Sequence, residues 1–238
     1  MVRSFVKLFT LTSFKINHMK KLINIIDEND ETCLSSYTEI AEKLMNNYKL
    51  QVRSTFYRIV ECEFYYSSKK HEDPYVHGHQ RQKESFGEWY FHGSGLDITL
   101  SNGEAYGGIL IRSIAEVRQY GNIERKDATM GPLNVCSEIF SKIGDVMADM
   151  PLHFGLREIS RDPMGANMKT AKIFAVPRIG LNASKDNEKG FCKRPYRFIS
   201  FLHLPHKESE KIKKYLLEDK EKPMSMEDYK LYYSGKKW

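Results

Sequence analysis

A segment at residues 57–66 combines two glutamates and several tyrosines with apolar residues typical of a strand. Successive side chains of a strand point to opposite faces. One face is therefore predicted to carry Tyr57, Ile59, Glu61, Glu63 and Tyr65, and the other Arg58, Val60, Cys62 and Phe64. A carboxylate held on such a strand could act as a general base that takes a proton from water. An edge strand with one solvated face would also carry glutamates, so this alternative stays open.

The loop that follows this strand is rich in histidine. His71, Asp73, His77 and His79 are residue types that bind metal ions, and His-x-His is a common ligand pair. Their spacing is not diagnostic of a metal site, and loop histidines are usually just solvated. A further interpretation places one histidine beside Glu63 as a proton-handling group, because imidazole titrates near neutral pH.

Four consecutive rings precede Gly93: Trp89, Tyr90, Phe91 and His92. Four neighbouring side chains of one strand cannot all point inward, because successive residues alternate between faces. Rings that face a groove would suit stacking against a nucleobase. A strand that is buried on both faces is the alternative.

Two further strands are predicted at residues 95–100 and 107–114, with a turn at Asn102–Gly103 between them. The first strand alternates, with Leu96, Ile98 and Leu100 on one face and Asp97 and Thr99 on the other. In the second strand, Arg112 is expected on the face of Leu110 and Ile114. A buried guanidinium is costly unless it is paired, so Arg112 is predicted to bind a carboxylate or a phosphate.

Helices and other strands must position these side chains. A capping box at Ser36 and Glu39 predicts the start of a helix. Apolar spacing predicts a second helix at residues 133–147. Strands are expected at residues 171–176 and 197–203, and residues 157–170 are predicted to form a loop. A charged helix and tail follow His206.

Composition places the chain among globular proteins. Hydrophobic residues make up 41% of the 238 residues, which is enough for a core and excludes the disordered class. The formal net charge of +6 weakly favours a polyanionic partner. Four widely spaced cysteines are typical of reduced thiols in an intracellular protein. No apolar run approaches the roughly 18 residues that span a bilayer.

The first 22 residues are basic, rich in Ser and Thr, and free of acidic side chains. This composition resembles a transit peptide. A start at Met19, or an ordinary basic segment, would explain it equally well.

Several motifs together resemble the alkyladenine (3-methyladenine) DNA glycosylase family. The resemblance rests on the order and spacing of the strand at residues 57–65, Asp73-Pro-x-x-His77, the aromatic stretch that ends at Gly93, and Leu-Ile-Arg112. Gly131-Pro132, Pro177-Arg-Ile-Gly180 and Lys193-Arg-Pro-Tyr-Arg-Phe198 fit the same pattern. The similarity therefore extends over residues 35–198.

The resemblance implies an α/β (α+β) fold, as a single domain with a curved, mainly antiparallel sheet flanked by helices. This domain is expected at residues 31–206. Residues 1–30 would form a basic N-terminal segment, and residues 207–238 a charged C-terminal helix and tail. The resemblance also implies an intracellular monomer that binds DNA and needs no cofactor, metal or membrane; mitochondrial targeting is an open alternative for the basic segment.

The activity that the resemblance implies is hydrolysis of the N-glycosidic bond of a damaged or modified purine, after the nucleotide has been flipped out of the duplex. Glu63 would be the general base, and Arg112 would keep it ionised or hold a phosphate. Tyr65, His77 and one of Trp89 and Tyr90 would hold the base; Thr99 lies near the position of a pocket asparagine in the family.

The chain departs from the family where a Tyr-x-x-Tyr-Gly segment is expected. Aligned without gaps, Trp89 takes the base-stacking place, and His92 takes the place of the intercalating tyrosine. The range of substrates is therefore open. Two alternatives remain: a protein on the same scaffold that binds DNA or a modified nucleotide without cleavage, and a metal-dependent hydrolase built on the loop at residues 71–79.

Overall fold

The computed structural model describes residues 33–101, 103–118, 121, 123–144, 152–161, 168–186, 189–218 and 223–238. The predicted N-terminal segment, Asn102 of the predicted turn, and Val146 and Met147 of the predicted second helix lie outside these residues.

The strands of the described residues are Tyr48–Val52 (β1), Thr55–Ser67 (β2), Phe86–His92 (β3), Gly95–Leu100 (β4), Tyr106–Glu116 (β5), Ala128–Met130 (β6), Phe154–Glu158 (β7), Phe174–Val176 (β8) and Arg197–Ile199 (β9). The α-helices are Cys33–Asn47 (α1), Gln80–Glu84 (α2), Pro132–Ser141 (α3), Ser209–Leu217 (α4) and Met226–Tyr233 (α5).

These strands form one curled antiparallel sheet in the order β3-β4-β5-β2-β1-β7. Strand β6 pairs with β5, and β9 pairs with both β2 and β8. Every strand pair is antiparallel. The predicted single α+β domain with a curved antiparallel sheet is therefore confirmed.

Helix α1 packs its apolar stripe on the core face of the sheet. Tyr37 stacks on Phe64 of β2, with ring centroids 4.6 Å apart. Ser36 is buried inside this helix rather than at its start, so the predicted capping box is wrong. The predicted second helix corresponds to α3, which begins at Pro132 directly after Gly131 (φ of 98°) and ends at Ser141, so Ile143 of the predicted range lies beyond it.

The C-terminal end of α1 is capped by a buried arginine from β2. The Arg58 guanidinium donates to the Met45 carbonyl oxygen through Nε (3.0 Å) and Nη2 (2.6 Å), and to Asn46 Oδ1 (2.9 Å) and the Lys169 carbonyl (2.9 Å). The carbonyls at a helix C-terminus carry partial negative charge and therefore stabilise a cation there. Burial lowers the pKa of Arg58 to about 10.

Replacing Arg58 with glutamine is expected to lower the free energy of unfolding by about 3 kcal/mol, because buried carbonyl oxygens lose their donors. Urea denaturation at pH 7 measures this change. The control is Arg157→Gln, since Arg157 is exposed and its Nε donates to Gln51. Equal stabilities of the two variants would contradict the capping role of Arg58.

Two local irregularities in the β2–β5 pairing decide which side chains share a face. Ile59 pairs with Ile114 and Cys62 with Ile111, whereas Glu61 pairs with Ser113. Val60 is thus an extra residue in β2 without a partner in β5. Arg112, between Ser113 and Ile111, is likewise an extra residue in β5 without a partner in β2. Such bulges change the direction in which side chains point.

The bulges correct two predictions from simple alternation. Tyr57 and Ile59 lie in the main core, and so does Ile114. Tyr57 and Ile59 therefore do not share a face with the site glutamates, and Arg112 does not share one with Ile114. Arg112, the extra residue of β5, instead points toward the glutamates of β2.

Helices α4 and α5 pack on strands β8 and β9 through a second apolar cluster, so the C-terminal segment is more than a solvated tail. The buried members of this cluster are Phe174, Val176, Ile199, Leu202, Ile212, Leu216, Tyr229 and Tyr232. The segment at residues 207–238, predicted as a charged helix and tail, contains the two helices α4 and α5. None of the helices in the described ranges is both long and apolar enough to cross a membrane.

Candidate active site

The strand pairing lines up four side chains across four neighbouring strands. Glu63 of β2 pairs with Leu110 of β5, Leu110 pairs with Asp97 of β4, and Asp97 pairs with Tyr90 of β3. Residues that pair directly point to the same face of a sheet. The neighbouring residue Phe64 belongs to the main core, so this row lies on the opposite face.

Glu63 is the most completely held carboxylate of this row. Its Oε1 accepts the backbone N–H of Ile179 at 3.1 Å. Its Oε2 accepts the hydroxyl of Tyr65 at 2.7 Å and Nη1 of Arg112 at 3.2 Å. The side chain has no exposed surface. The structure therefore brings three of the predicted site residues, Glu63, Arg112 and Tyr65, into direct contact.

Glu61 lies beside this group at the centre of a larger charge network. Its carboxylate oxygens accept Nε of Arg112 (3.0 Å), Nε of Arg197 (2.9 Å) and the hydroxyl of Ser113 (3.0 Å). Nδ1 of His206 lies 3.3 Å away. Burial alone would raise the pKa of Glu61, but the His206 hydrogen bond and the charges of Arg197 and Arg112 lower it to about 2.

Arg112 joins the two carboxylates, because its Nε binds Glu61 and its Nη1 binds Glu63. Burial alone would lower the pKa of Arg112, but Glu63 and Glu61 raise it above its ordinary value. The charge of Arg112 contributes to the lowered pKa of Glu61. The predicted pairing of Arg112 with a carboxylate is thus present in the geometry, with two partners rather than one.

His206 ties the C-terminal part of the chain to this network. Its Nε2 lies 3.1 Å from the Ser200 carbonyl oxygen and 3.3 Å from that of Phe201. Carbonyl and carboxylate oxygens only accept hydrogen bonds, so a ring that faces them with both nitrogens makes both bonds in its imidazolium form. Arg197 adds a second tie, because its Nη2 donates to the Lys207 carbonyl at 2.9 Å.

The second predicted group, the aromatic stretch, forms a column of rings at the end of the row. Tyr90 stacks on His79 (centroids 4.9 Å apart) and on His92 (5.0 Å), and His77 meets the edge of His92 at 4.7 Å. Neighbouring strands are about 4.8 Å apart, so the backbone of Tyr90 lies roughly 14 Å from that of Glu63. Partial burial, followed by the charge of His92, lowers the pKa of His77.

His92 does not protrude as an intercalating residue would. Its side chain is 8% exposed, and its Nε2 lies 3.0 Å from Oδ1 of the buried Asp97, without the alignment of a hydrogen bond. Its Nδ1 accepts the backbone N–H of Ser94. In this conformation the predicted wedge is part of the packed ring column.

Two more predicted base-binding residues are placed elsewhere. Trp89 pairs with Ile98, lies on the core face of β3 and packs against Phe154 at 4.9 Å. Of the two alternative stacking rings, only Tyr90 therefore shares a face with Glu63. Thr99 is buried on that face, and its hydroxyl accepts the backbone N–H of Glu88 at 3.0 Å.

The polar side chains of the loop at residues 71–79 do not come together at one common site. His71 is buried in the core, with its ring 5.1 Å from Phe191. Asp73 forms a two-pronged ion pair with Arg178, at 2.6 and 3.2 Å. Among the residues that the structure describes, no group of three or more His, Cys, Asp or Glu side chains could hold a metal ion.

Because the proposed chemistry uses no ion, any base-release activity is expected to survive chelation. Activity is measured after dialysis against EDTA and again after zinc is added back. Stoichiometric zinc in the purified protein, together with activity lost to the chelator and restored by zinc, would favour the metal-dependent hydrolase instead.

Sequence reasoning missed the residues that hold the glutamates from a distance: Ser113, the Ile179 backbone, Arg197 and His206. Arg197 and Ile179 lie within motifs that were recognised, but no role followed from their spacing. The one signal available in the sequence was that a buried glutamate needs a hydrogen-bonding partner, and that its own segment supplies none.

Comparison with known proteins adds a relative but no activity. No protein-family model matches the chain. An uncharacterized protein of Acanthamoeba polyphaga mimivirus is 28% identical, in an alignment that covers 74% of this chain and 92% of the relative. The name of that relative states no function, so the function of this chain has to be argued from its site.

Proposed function

We propose that the chain is a DNA N-glycosylase that releases a damaged or modified purine from DNA by hydrolysis of the N-glycosidic bond. One observation carries the proposal above all others. Glu63 is a buried carboxylate held by Arg112, Tyr65 and the Ile179 backbone N–H, on the face that also carries Tyr90 and His92. This constellation has the components of general-base catalysis on the same sheet face as a set of aromatic rings.

The chemistry assigns a role to each contact of Glu63. The carboxylate would take a proton from water while the water oxygen bonds to the sugar carbon and the electrons of the broken bond leave with the base. An ionised carboxylate would also stabilise positive charge on the sugar. Arg112 and the Ile179 N–H hold the carboxylate in a fixed orientation through their hydrogen bonds.

The rings on this face would receive the flipped base, which must leave the stack before water can reach the sugar carbon. His77 is exposed and Tyr65 is partly exposed. The Arg178 guanidinium covers one face of the Tyr65 ring at 4.6 Å, so a base would use the other face. Both His79 and His92 stack on Tyr90, so contact with that ring requires one histidine to move.

Cationic side chains near the ring column support a polyanionic substrate. Arg81 of α2 and Lys185 are exposed, and the charge of Lys185 acts on His77. Exposed cations of this kind bind DNA phosphates without regard to sequence. The formal net charge of +6 agrees with this role.

A second candidate function is binding of DNA or a modified nucleotide without cleavage. One observation favours it: the Glu63 side chain is completely buried, beneath groups that include Tyr65, Arg112 and the Ile179 backbone N–H. Water can reach this carboxylate only if Tyr65 or the segment around Ile179 moves. A protein that keeps this network closed would hold a flipped base and leave its bond intact.

One experiment separates the two functions. Purified protein is incubated with duplex and single-stranded DNA that contains alkylated purines, and the free base is measured by chromatography. A fluorescent base analogue beside the lesion reports flipping in the same samples. Catalytic release supports the glycosylase, whereas tight binding and flipping without release supports the binding protein.

A further inference from the structure

The ring of Tyr90 is covered on both faces by histidines. His92 stacks on one face at 5.0 Å and His79 on the other at 4.9 Å, with ring planes 28° and 19° from parallel. Tyr90 is therefore only 9% exposed, although β3 lies at one end of the strand order. A planar ligand can stack on Tyr90 only if it displaces one of the two histidines.

His92 is the fixed histidine of this pair. Its side chain is 8% exposed, its Nε2 lies 3.0 Å from Oδ1 of Asp97, and its Nδ1 accepts the backbone N–H of Ser94. A move of His92 would take its Nε2 away from a buried carboxylate oxygen. Because a buried charge that loses a partner is costly, His92 stays in place when a ligand arrives.

His79 is the histidine that can leave. It is exposed, and its Nδ1 accepts the N–H of Arg81 at 3.2 Å as the N-cap of α2. Gly78 precedes it with a φ of 67°, and a Cβ added at Gly78 would meet no atom within 4 Å. Glycine in open space lets the backbone turn at this point. A swing of the His79 ring into water therefore costs one stacking contact and one exposed hydrogen bond.

The ring that His79 covers lies on the sheet face of the candidate general base. Strand pairing places on this face Glu63, Leu110, Asp97 and Tyr90. Imidazole is a planar five-membered ring, and a purine carries the same ring fused to a six-membered one. A purine can therefore replace His79 on Tyr90 and cover more of the ring, since every base has a flat face that stacks on aromatic side chains.

We propose that His79 is an autoinhibitory contact: it occupies the place of a purine ring on Tyr90 and gives it up when the purine binds. The choice of a purine rests on the function proposed above. His92 stays behind Tyr90 and keeps its ring in position. Because the ligand must replace an existing stack, the contact favours a purine over a pyrimidine, whose single ring stacks over a smaller area.

A fluorescence titration with 2-aminopurine riboside tests this inference, because the emission of 2-aminopurine is quenched when it stacks on an aromatic ring. His79→Asn removes the imidazole but keeps a good N-cap for α2. This variant is expected to bind the riboside about two- to tenfold more tightly than the wild type. The control is His153→Asn, which removes an exposed histidine directly before β7 and should bind as the wild type does. Adding Tyr90→Leu to His79→Asn should remove both the gain in affinity and the quenching.

Three outcomes would overturn the inference: no binding by His79→Asn at millimolar riboside, equal affinities of His79→Asn and the wild type, or a gain that persists after Tyr90→Leu. Urea denaturation checks that each variant is folded, and His79→Ser, which also caps a helix, replaces His79→Asn if it is not. The titration contains no DNA and measures no base release. Its failure with release from DNA intact removes only the His79 contact, whereas success without release removes only the glycosylase.

Discussion

Glu63→Gln is expected to abolish release of the free base, with a loss of at least about a hundredfold, and to leave DNA binding nearly unchanged. Glutamine has the same shape and still accepts the N–H of Ile179, but it cannot take a proton from water. The ion pair between Arg112 and Glu61 is retained, so the fold should be preserved. Single-turnover release and equilibrium DNA binding are measured on the same preparation.

The matched control is Glu72→Gln, because Glu72 is exposed and pairs with Lys189 at the surface. This variant should release base at the wild-type rate. Two results would contradict the assignment of Glu63. One is release by Glu63→Gln at the rate of the control. The other is release by Glu63→Gln when a folded Glu61→Gln variant is inactive, since the general base would then be Glu61.

Much of the sheet could be predicted because it depends on local patterns. Alternation in residues 95–100 and in most of β2 follows from neighbouring residues alone. The same rule failed at Val60 and Arg112, because a bulge inserts a residue that no apolar pattern marks. The predicted strand at residues 171–176 is shorter in the structure, where β8 begins at Phe174.

The site was only partly predictable because its contacts join distant parts of the chain. Ile179 lies 116 residues from Glu63, and His206 lies 145 residues from Glu61. Such contacts are fixed by the pairing of β9 with β2, which no local spacing encodes. The alternation of side chains along a strand could have placed Trp89 and Tyr90 on opposite faces of the sheet. Only the structure shows that histidines stack on both sides of Tyr90.

Glu61→Gln is expected to have the largest effect on stability, a loss of about 3–5 kcal/mol at pH 7. The variant leaves Arg112 with one carboxylate and deprives Arg197 of its own. Glu63→Gln should cost less, because both arginines keep Glu61. Urea denaturation of the two variants and the wild type at pH 7 gives this comparison.

The stability lost in Glu61→Gln should also depend on pH, and the pKa of Glu61 gives the direction. Its folded-state pKa of about 2 is below the ordinary value of 4.5, so the carboxylate stabilises the fold above pH 4.5 and loses this effect as the pH falls toward 2. The difference between wild type and Glu61→Gln should shrink by on the order of 2 kcal/mol between pH 7 and pH 3. Glu218→Gln, at an exposed position, is the control and should show no such change. A difference that stays the same at both pH values would show that Glu61 has no depressed pKa and that the network around it is not charged as described.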